Sequence, residues 1–131
     1  MSIRFNHTLV YARDKKKSAS FLAEILGLPE PSSFGPFLVV ELENGVSLDF
    51  LEVGDTDIVP QHYAFLIDEE DFDKIFDRIR ERSLMHWADP FKQHPGQINR
   101  NDGGRGVYFE DPDRHLMEVL TRPYGSGEPD A

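Results

Sequence analysis

The stretch Leu38-Val39-Val40-Glu41-Leu42-Glu43-Asn44-Gly45-Val46-Ser47-Leu48-Asp49-Phe50-Leu51 decides the fold. A largely apolar strand ends at Leu42, Asn44-Gly45 is a strong signal for a two-residue hairpin, and apolar residues resume at Val46. Moved on by 69 positions, the stretch lies without a gap on Val107 to Leu120. Leu38 then falls on Val107, Val40 on Phe109, Glu41 on Glu110 and Asn44 on Asp113, while Leu48, Asp49, Phe50 and Leu51 fall on Met117, Glu118, Val119 and Leu120. Two related hairpins in one chain are the mark of an internal repeat.

The segments before the hairpins repeat at a second offset. A shift of 55 places Ile3 on Ile58, Asn6 on Gln61, His7 on His62 and Val10 on Phe65. Each half therefore reads as strand, helix, then strands. In the first, Ile3 to Ala12 is a strand, Asp14 caps a helix through Phe21, Leu22, Ile25 and Leu26, Gly27 and Pro29 end it, and Phe37–Leu42 and Val46–Val53 are strands. In the second, Gln61–Ile67 is a strand and an acidic turn from Asp68 opens a helix carrying Phe72, Ile75, Phe76 and Ile79. Arg105–Glu110 and His115–Thr121 are strands around the turn Asp111-Pro112-Asp113. The offsets differ by 14, which measures extra residues in the second half, placed between Ser83 and Gly104. This insertion holds Met85, His86, Trp87, Phe91 and His94 and is a candidate lid or pocket wall. Its glycines, Gly103, Gly104 and Gly106, lack phosphate-loop spacing and read as an ordinary loop. The expected organisation is one domain over 1–123, with a first module over about 1–54 and a second over about 57–123. A flexible tail rich in Gly, Pro and charge follows over 124–131.

A chain of 131 residues suffices for one domain with a real core, and ten Phe supply bulk for it. The formal net charge of −10 and pI near 4.8 argue against nucleic acid, which needs a concentrated basic surface. Lys15-Lys16-Lys17 is too short a run to reverse this and reads as a solvated helical turn. The absence of cysteine excludes disulfides, thiolate zinc sites and Cys nucleophiles. No stretch resembles a signal peptide or a membrane span, so a cytoplasmic protein is expected. Neither Ser-His-Asp spacing nor a nucleophile elbow is visible, and hydrolase chemistry has no support.

The repeat pairs a histidine with a carboxylate in each half: His7 with Asp49, and His62 with Glu118. Side chains alternate along a strand. His7 therefore shares a face with Phe5, Leu9 and Tyr11, His62 with Ala64 and Leu66, Glu118 with Leu116 and Leu120, and Asp49 with Ser47 and Leu51. A charged Glu118 on such an apolar stripe needs a partner, met by a metal or by an arginine. Two imidazoles and one carboxylate suit a divalent transition metal with open positions, as in non-haem Fe(II) oxygenases. A second carboxylate favours Lewis-acid chemistry. The competing reading makes each histidine a hydrogen-bonded structural residue and Asp49 a salt-bridged edge carboxylate. His115 alternates away from Glu118 and is expected to face outward. His86 and His94 read as surface-loop residues, His94 keeping a part as an outer base. Tyr11 and Tyr108 are candidate donors to a substrate oxygen, with core packing as the alternative.

At these residues the chain resembles the vicinal-oxygen-chelate superfamily of glyoxalase I, extradiol dioxygenases, fosfomycin-resistance enzymes and bleomycin-binding proteins. The likeness spans Arg4 to Thr121. It is carried by Phe5-Asn6-His7-Thr8, Phe21-Leu22 to Leu26-Gly27-Leu28, Gln61-His62-Tyr63-Ala64-Phe65, Val107-Tyr108-Phe109-Glu110-Asp111-Pro112-Asp113 and His115-Leu116-Met117-Glu118. Phe34-Gly35-Pro36-Phe37 to Asp49-Phe50-Leu51 is also similar to a small bacterial subgroup that includes an iron-dependent dioxygenase of the aromatic polyketide chartreusin. The resemblance implies an α+β fold of two βαβββ modules whose curved mixed sheets form a cup, paired within the chain or across a homodimer. It implies His7, His62 and Glu118 as catalytic metal ligands. Asp49 falls where glyoxalase I has a longer fourth ligand, a glutamate. The implied activity is a dioxygenase using Fe(II) and O2 on an aromatic or polyketide-like small molecule. Phe5, Leu9, Tyr11, Leu66, Trp87, His94 and Tyr108 are the candidate pocket residues. The alternatives are a glyoxalase-like isomerase or lyase using Ni(II), Zn(II) or Mn(II), and a non-catalytic antibiotic-binding protein.

Overall fold

The computed structural model describes residues 2–127. The chain divides into two units, the first ending at Val59 and the second beginning at Pro60. Among the described residues no helix is long and apolar enough to cross a membrane.

The first unit contains β1 (His7–Ala12), α1 (Lys15–Leu26), β2 (Ser32–Phe34), β3 (Phe37–Glu41) and β4 (Ser47–Glu52). Its sheet has the order β1-β4-β3-β2, with β1 parallel to β4 and the other pairs antiparallel. Helix α1 begins where the Asp14 carboxylate accepts from the Lys17 amide and ends at Gly27. It packs on one sheet face, where Leu22 and Ile25 are buried with Val10, Ala12, Val40, Leu48 and Phe50. The opposite face carries His7, Leu9, Tyr11, Asp49 and Val39.

The second unit contains β5 (His62–Leu66), α2 (Glu69–Glu81), β6 (His86–Trp87), β7 (Gly106–Glu110) and β8 (Leu116–Leu120), with a short 3-10 turn at Asn101–Gly103. Its sheet order, β5-β8-β7-β6, repeats the first. The register repeats as well. His7 pairs with Ser47 and His62 with Leu116, which are equivalent under the two sequence offsets. Helix α2 buries Phe72, Ile75 and Ile79, each worth about 2 kcal/mol. Arg105 ties its first turn to the sheet: Nε donates to Glu69 at 2.7 Å, Nη1 donates to Asp73 at 2.8 Å, and the guanidinium lies 4.4 Å from the Phe72 ring centre.

The α+β fold of two βαβββ modules is as expected, but several local readings are corrected. The Asn44-Gly45 hairpin has a three-residue loop: Leu42 N donates to Val46 O at 2.8 Å, Gly45 N donates to Leu42 O at 3.2 Å, and Gly45 takes φ +81°. Strand β1 starts at His7 rather than Ile3. Two short edge strands, β2 and β6, complete the three strands expected after each helix but were not located in the sequence. The second removes His86 and Trp87 from the insertion, because Trp87 pairs with Tyr108 as Ser32 pairs with Val39. The extra residues follow β6 and fold back along it. Trp87 bridges Pro95, Gly96 N donates to His86 O at 2.8 Å, and Asn99 Nδ2 donates to Ala88 O at 2.9 Å. His115 is buried rather than outward. It faces the helix-covered side of the sheet, where its Nδ1 accepts from Gln61 N at 2.9 Å and its ring meets Tyr63 edge-on. Within the expected tail, Tyr124 and Gly127 make hydrogen bonds back to the second unit. Residues 128–131 lie outside the described residues.

Candidate metal-binding site

Pairing places Trp87, Tyr108, Glu118 and Ala64 in one row across the face of the second sheet away from α2. His62 lies on that face, two residues before Ala64. Its Nε2 is 3.0 Å from Glu118 Oε1. His62 is exposed, whereas Glu118 is 1% exposed. A carboxylate so placed requires partners. They are His62 and the Tyr124 hydroxyl, which donates to Oε2; no arginine serves here. The Tyr108 and Tyr124 hydroxyls are 2.7 Å apart, and the His62 and Tyr108 rings lie 5.8 Å apart. Burial raises the Tyr108 hydroxyl far above the ordinary tyrosine range, with the Tyr124 hydrogen bond and the Glu118 charge acting the same way. Burial and the Glu118 hydrogen bond raise Tyr124 too. Both phenols therefore stay protonated at neutral pH. Tyr124 donates to Glu118 and accepts from Tyr108.

The pair fits a divalent ion. Two donors at about 2.1 Å from an octahedral metal and at right angles to each other lie roughly 3 Å apart. Nitrogen and carboxylate oxygen suit Fe(II), Mn(II), Ni(II) or Zn(II) alike.

In the first unit, His7 is exposed, and its imidazole is 2.7 Å from Asn6 Oδ1 through Nδ1. With Nδ1–H donating there, Nε2 carries the lone pair a metal needs. His7 and Asp49 line one cleft of about 440 Å³, whose apolar wall is Leu9, Phe34, Phe37 and Val39. The Ser47 hydroxyl donates to Asp49 Oδ1 at 2.8 Å. Among the described residues no three His, Asp or Glu side chains are gathered as a metal shell. Each unit carries a histidine and a carboxylate on the sheet face away from its own helix.

Of the expected pocket residues, Phe5, Leu9, Tyr11 and Leu66 are exposed, at 67, 44, 50 and 62%. Trp87 and Tyr108 are buried. The Lys92 ammonium lies 4.9 Å from the Trp87 ring centre and 3.2 Å from Glu110. His94 sits exposed on the insertion, its amide donating to Asp89. Tyr124 is the residue that sequence reasoning missed. Its one signal is an aromatic side chain in a segment otherwise made of Gly, Pro and Ser.

Residues 4–119 match the profile of the Glyoxalase/Bleomycin resistance protein/Dioxygenase superfamily. Among solved structures, Oxidase ChaP-H2 is 61% identical, with 98% of this chain and 100% of that one covered and a TM-score of 0.94. Among curated proteins, the glutathione transferase FosA of Serratia marcescens is 29% identical over 121 residues, 87% of this chain and 77% of its own length. The fosfomycin resistance protein FosX of Listeria monocytogenes, solved with Mn(II) and sulfate, is 25% identical, with 94% and 92% covered and a TM-score of 0.67.

Proposed function

From the premise that this chain belongs to the Glyoxalase/Bleomycin resistance protein/Dioxygenase superfamily, we propose that it is a metal-dependent oxygenase of aromatic, polyketide-like small molecules. The observation that carries the reading is the His62–Glu118 pair, a buried carboxylate 3.0 Å from an exposed imidazole on the sheet face away from α2. The high identity to an oxidase along essentially its whole length supports redox chemistry. The Mn(II)-bound relative supports a divalent ion.

In this proposal His62, Glu118 and His7 hold Fe(II), and the protein works as a homodimer. When bound, iron would supply the redox chemistry that couples O2 to an electron-rich ring. The chain does the rest. Glu118 lends negative charge and His62 a neutral nitrogen. Tyr108 and Tyr124, held protonated, orient the carboxylate. Leu9, Phe37 and Val39, which line the cleft beside His7, offer apolar surface to a planar substrate and keep water from it.

A second, non-redox reading has support in Asp49, which lines the same cleft as His7. With Asp49 as a fourth ligand, Ni(II), Zn(II) or Mn(II) would favour an isomerase or lyase. The test is anaerobic Fe(II) titration of the wild type, His62→Ala and Glu118→Ala, followed by oxygen uptake with hydroxylated aromatics. Stoichiometric binding lost in both variants, together with substrate-dependent oxygen uptake, is expected. A wild type that binds no Fe(II), Mn(II) or Ni(II) sinks both readings, and turnover unchanged without oxygen leaves only the second.

A further inference from the structure

The Tyr124 hydroxyl donates to Oε2 of Glu118, while Oε1 faces His62. Tyr124 comes from the segment after the last strand, and that segment is fastened at both ends. At its start, the Arg105 amide donates to Thr121 Oγ1 at 2.8 Å and Thr121 Oγ1 donates to Glu69 at 2.9 Å. At its end, the Gly127 amide donates to Asp102 Oδ1 at 3.1 Å. Arg122 bridges the interior, its Nη2 donating to Ser126 O at 3.0 Å. Gly127 packs so closely on the 3-10 turn that a Cβ there would lie 2.5 Å from Asp102 Cα, so only glycine fits the approach. Tyr124 is 61% exposed, yet its hydroxyl reaches Glu118, which is 1% exposed. Little apolar burial holds this ring in place; the hydroxyl contact and the two fastenings do.

We infer that residues 122–127 form a clasp whose purpose is to make Tyr124 a positioning residue for Glu118. By occupying Oε2, the phenol fixes the carboxylate rotamer and leaves Oε1, beside His62 Nε2, as the single oxygen for a metal. Tyr108, hydrogen-bonded to Tyr124, holds the phenol in turn. Outer-shell contacts of this kind are typically worth 10–100-fold in metal affinity. The inference rests on the proposed metal role of His62 and Glu118.

The test measures Mn(II) binding to the full-length protein, by the loss of free-ion electron paramagnetic resonance signal, for wild type, Tyr124→Phe and Gly127→Ala. Tyr124→Phe keeps the ring and removes only the hydroxyl, and Gly127→Ala disturbs the clasp at a distance from Glu118. Both are expected to weaken Mn(II) by about 10–100-fold and to speed amide exchange over 122–127. Urea midpoints should fall modestly in both variants, since each takes a donor from the buried Glu118 carboxylate, while the transition stays as cooperative as in the wild type. Wild-type binding in Tyr124→Phe overturns this inference alone. Absence of Mn(II) and Fe(II) binding in the wild type overturns the proposed function and this inference with it.

Discussion

His62 Nε2 and Glu118 Oε1 lie 3.0 Å apart across the parallel pair of β5 and β8, one exposed and the other 1% exposed. That contact is the one a divalent ion would replace. Glu118→Gln keeps the shape and the contact with Tyr124 but removes the charge. Its Fe(II) affinity, read by anaerobic titration, is expected to fall by more than the roughly 100-fold that loss of an outer-shell partner causes. Retention of wild-type affinity would remove Glu118 from the ligand set.

Gly45 and Arg114 hold the same place in the two related hairpins. Asp111 N donates to His115 O at 3.0 Å and Arg114 N donates to Asp111 O at 3.0 Å, repeating the Leu42–Val46 and Gly45–Leu42 bonds. Arg114 takes φ +70°, where a side chain costs about 1 kcal/mol and glycine costs none. Arg114→Gly is therefore expected to raise stability in urea by up to about 1 kcal/mol, offset in part by the greater freedom glycine has in the unfolded chain. Gly45→Ala should lower it by a similar amount. No change in either variant would mean that the two loops are not under the same backbone constraint.

These loops also mark how far the sequence could be read. The ungapped overlay of 38–51 on 107–120 carried the repeat, and the His7↔Ser47 and His62↔Leu116 registers follow its two offsets. Alternation along β1, β4, β5 and β8 put His7, Asp49, His62 and Glu118 on the faces they occupy. It could not say which face each helix covers, and so His115 was misread. Three-residue β2 and two-residue β6 are too short to show a period. Tyr124 was hidden by composition, since Gly, Pro and Ser around it resemble a tail, and its hydrogen bonds depend on tertiary placement.

Asp111 gives the fold a pH dependence. Its carboxyl is 5% exposed, Oδ1 accepts from the Asp113 and His115 amides at 2.9 Å, and Oδ2 is buried without a partner. Burial raises its pKa to about 6, against the opposing pull of His115 and those two amides. The folded value lies above the unfolded one, so the unfolded chain ionises first as pH rises. This group's contribution is complete below about pH 4 and is lost as pH passes through about 6, by about 1–3 kcal/mol. Urea unfolding at pH 4.5, 6 and 8 should show that loss, superimposed on the other titrations, and Asp111→Asn should flatten it. An identical profile in the variant would place the pH dependence elsewhere.

Asp49 separates the two chemical readings. Its Oδ1 accepts from Ser47 at 2.8 Å, so one oxygen is already engaged within its own strand. Aspartate is also one methylene shorter than glutamate, which limits its reach. The oxygenase reading therefore expects Asp49→Ala to keep stoichiometric Fe(II) and oxygen uptake, with affinity changed by less than about 10-fold, below the range for an outer-shell partner. The isomerase or lyase reading makes Asp49 a ligand and expects binding and turnover to collapse together. Ser47→Ala sharpens the comparison by freeing Oδ1 without removing the charge. If Asp49 is a ligand held back by Ser47, metal affinity should rise in Ser47→Ala. If Asp49 is a structural partner of Ser47, affinity should not move, and the loss confined to Asp49→Ala should appear only in urea stability.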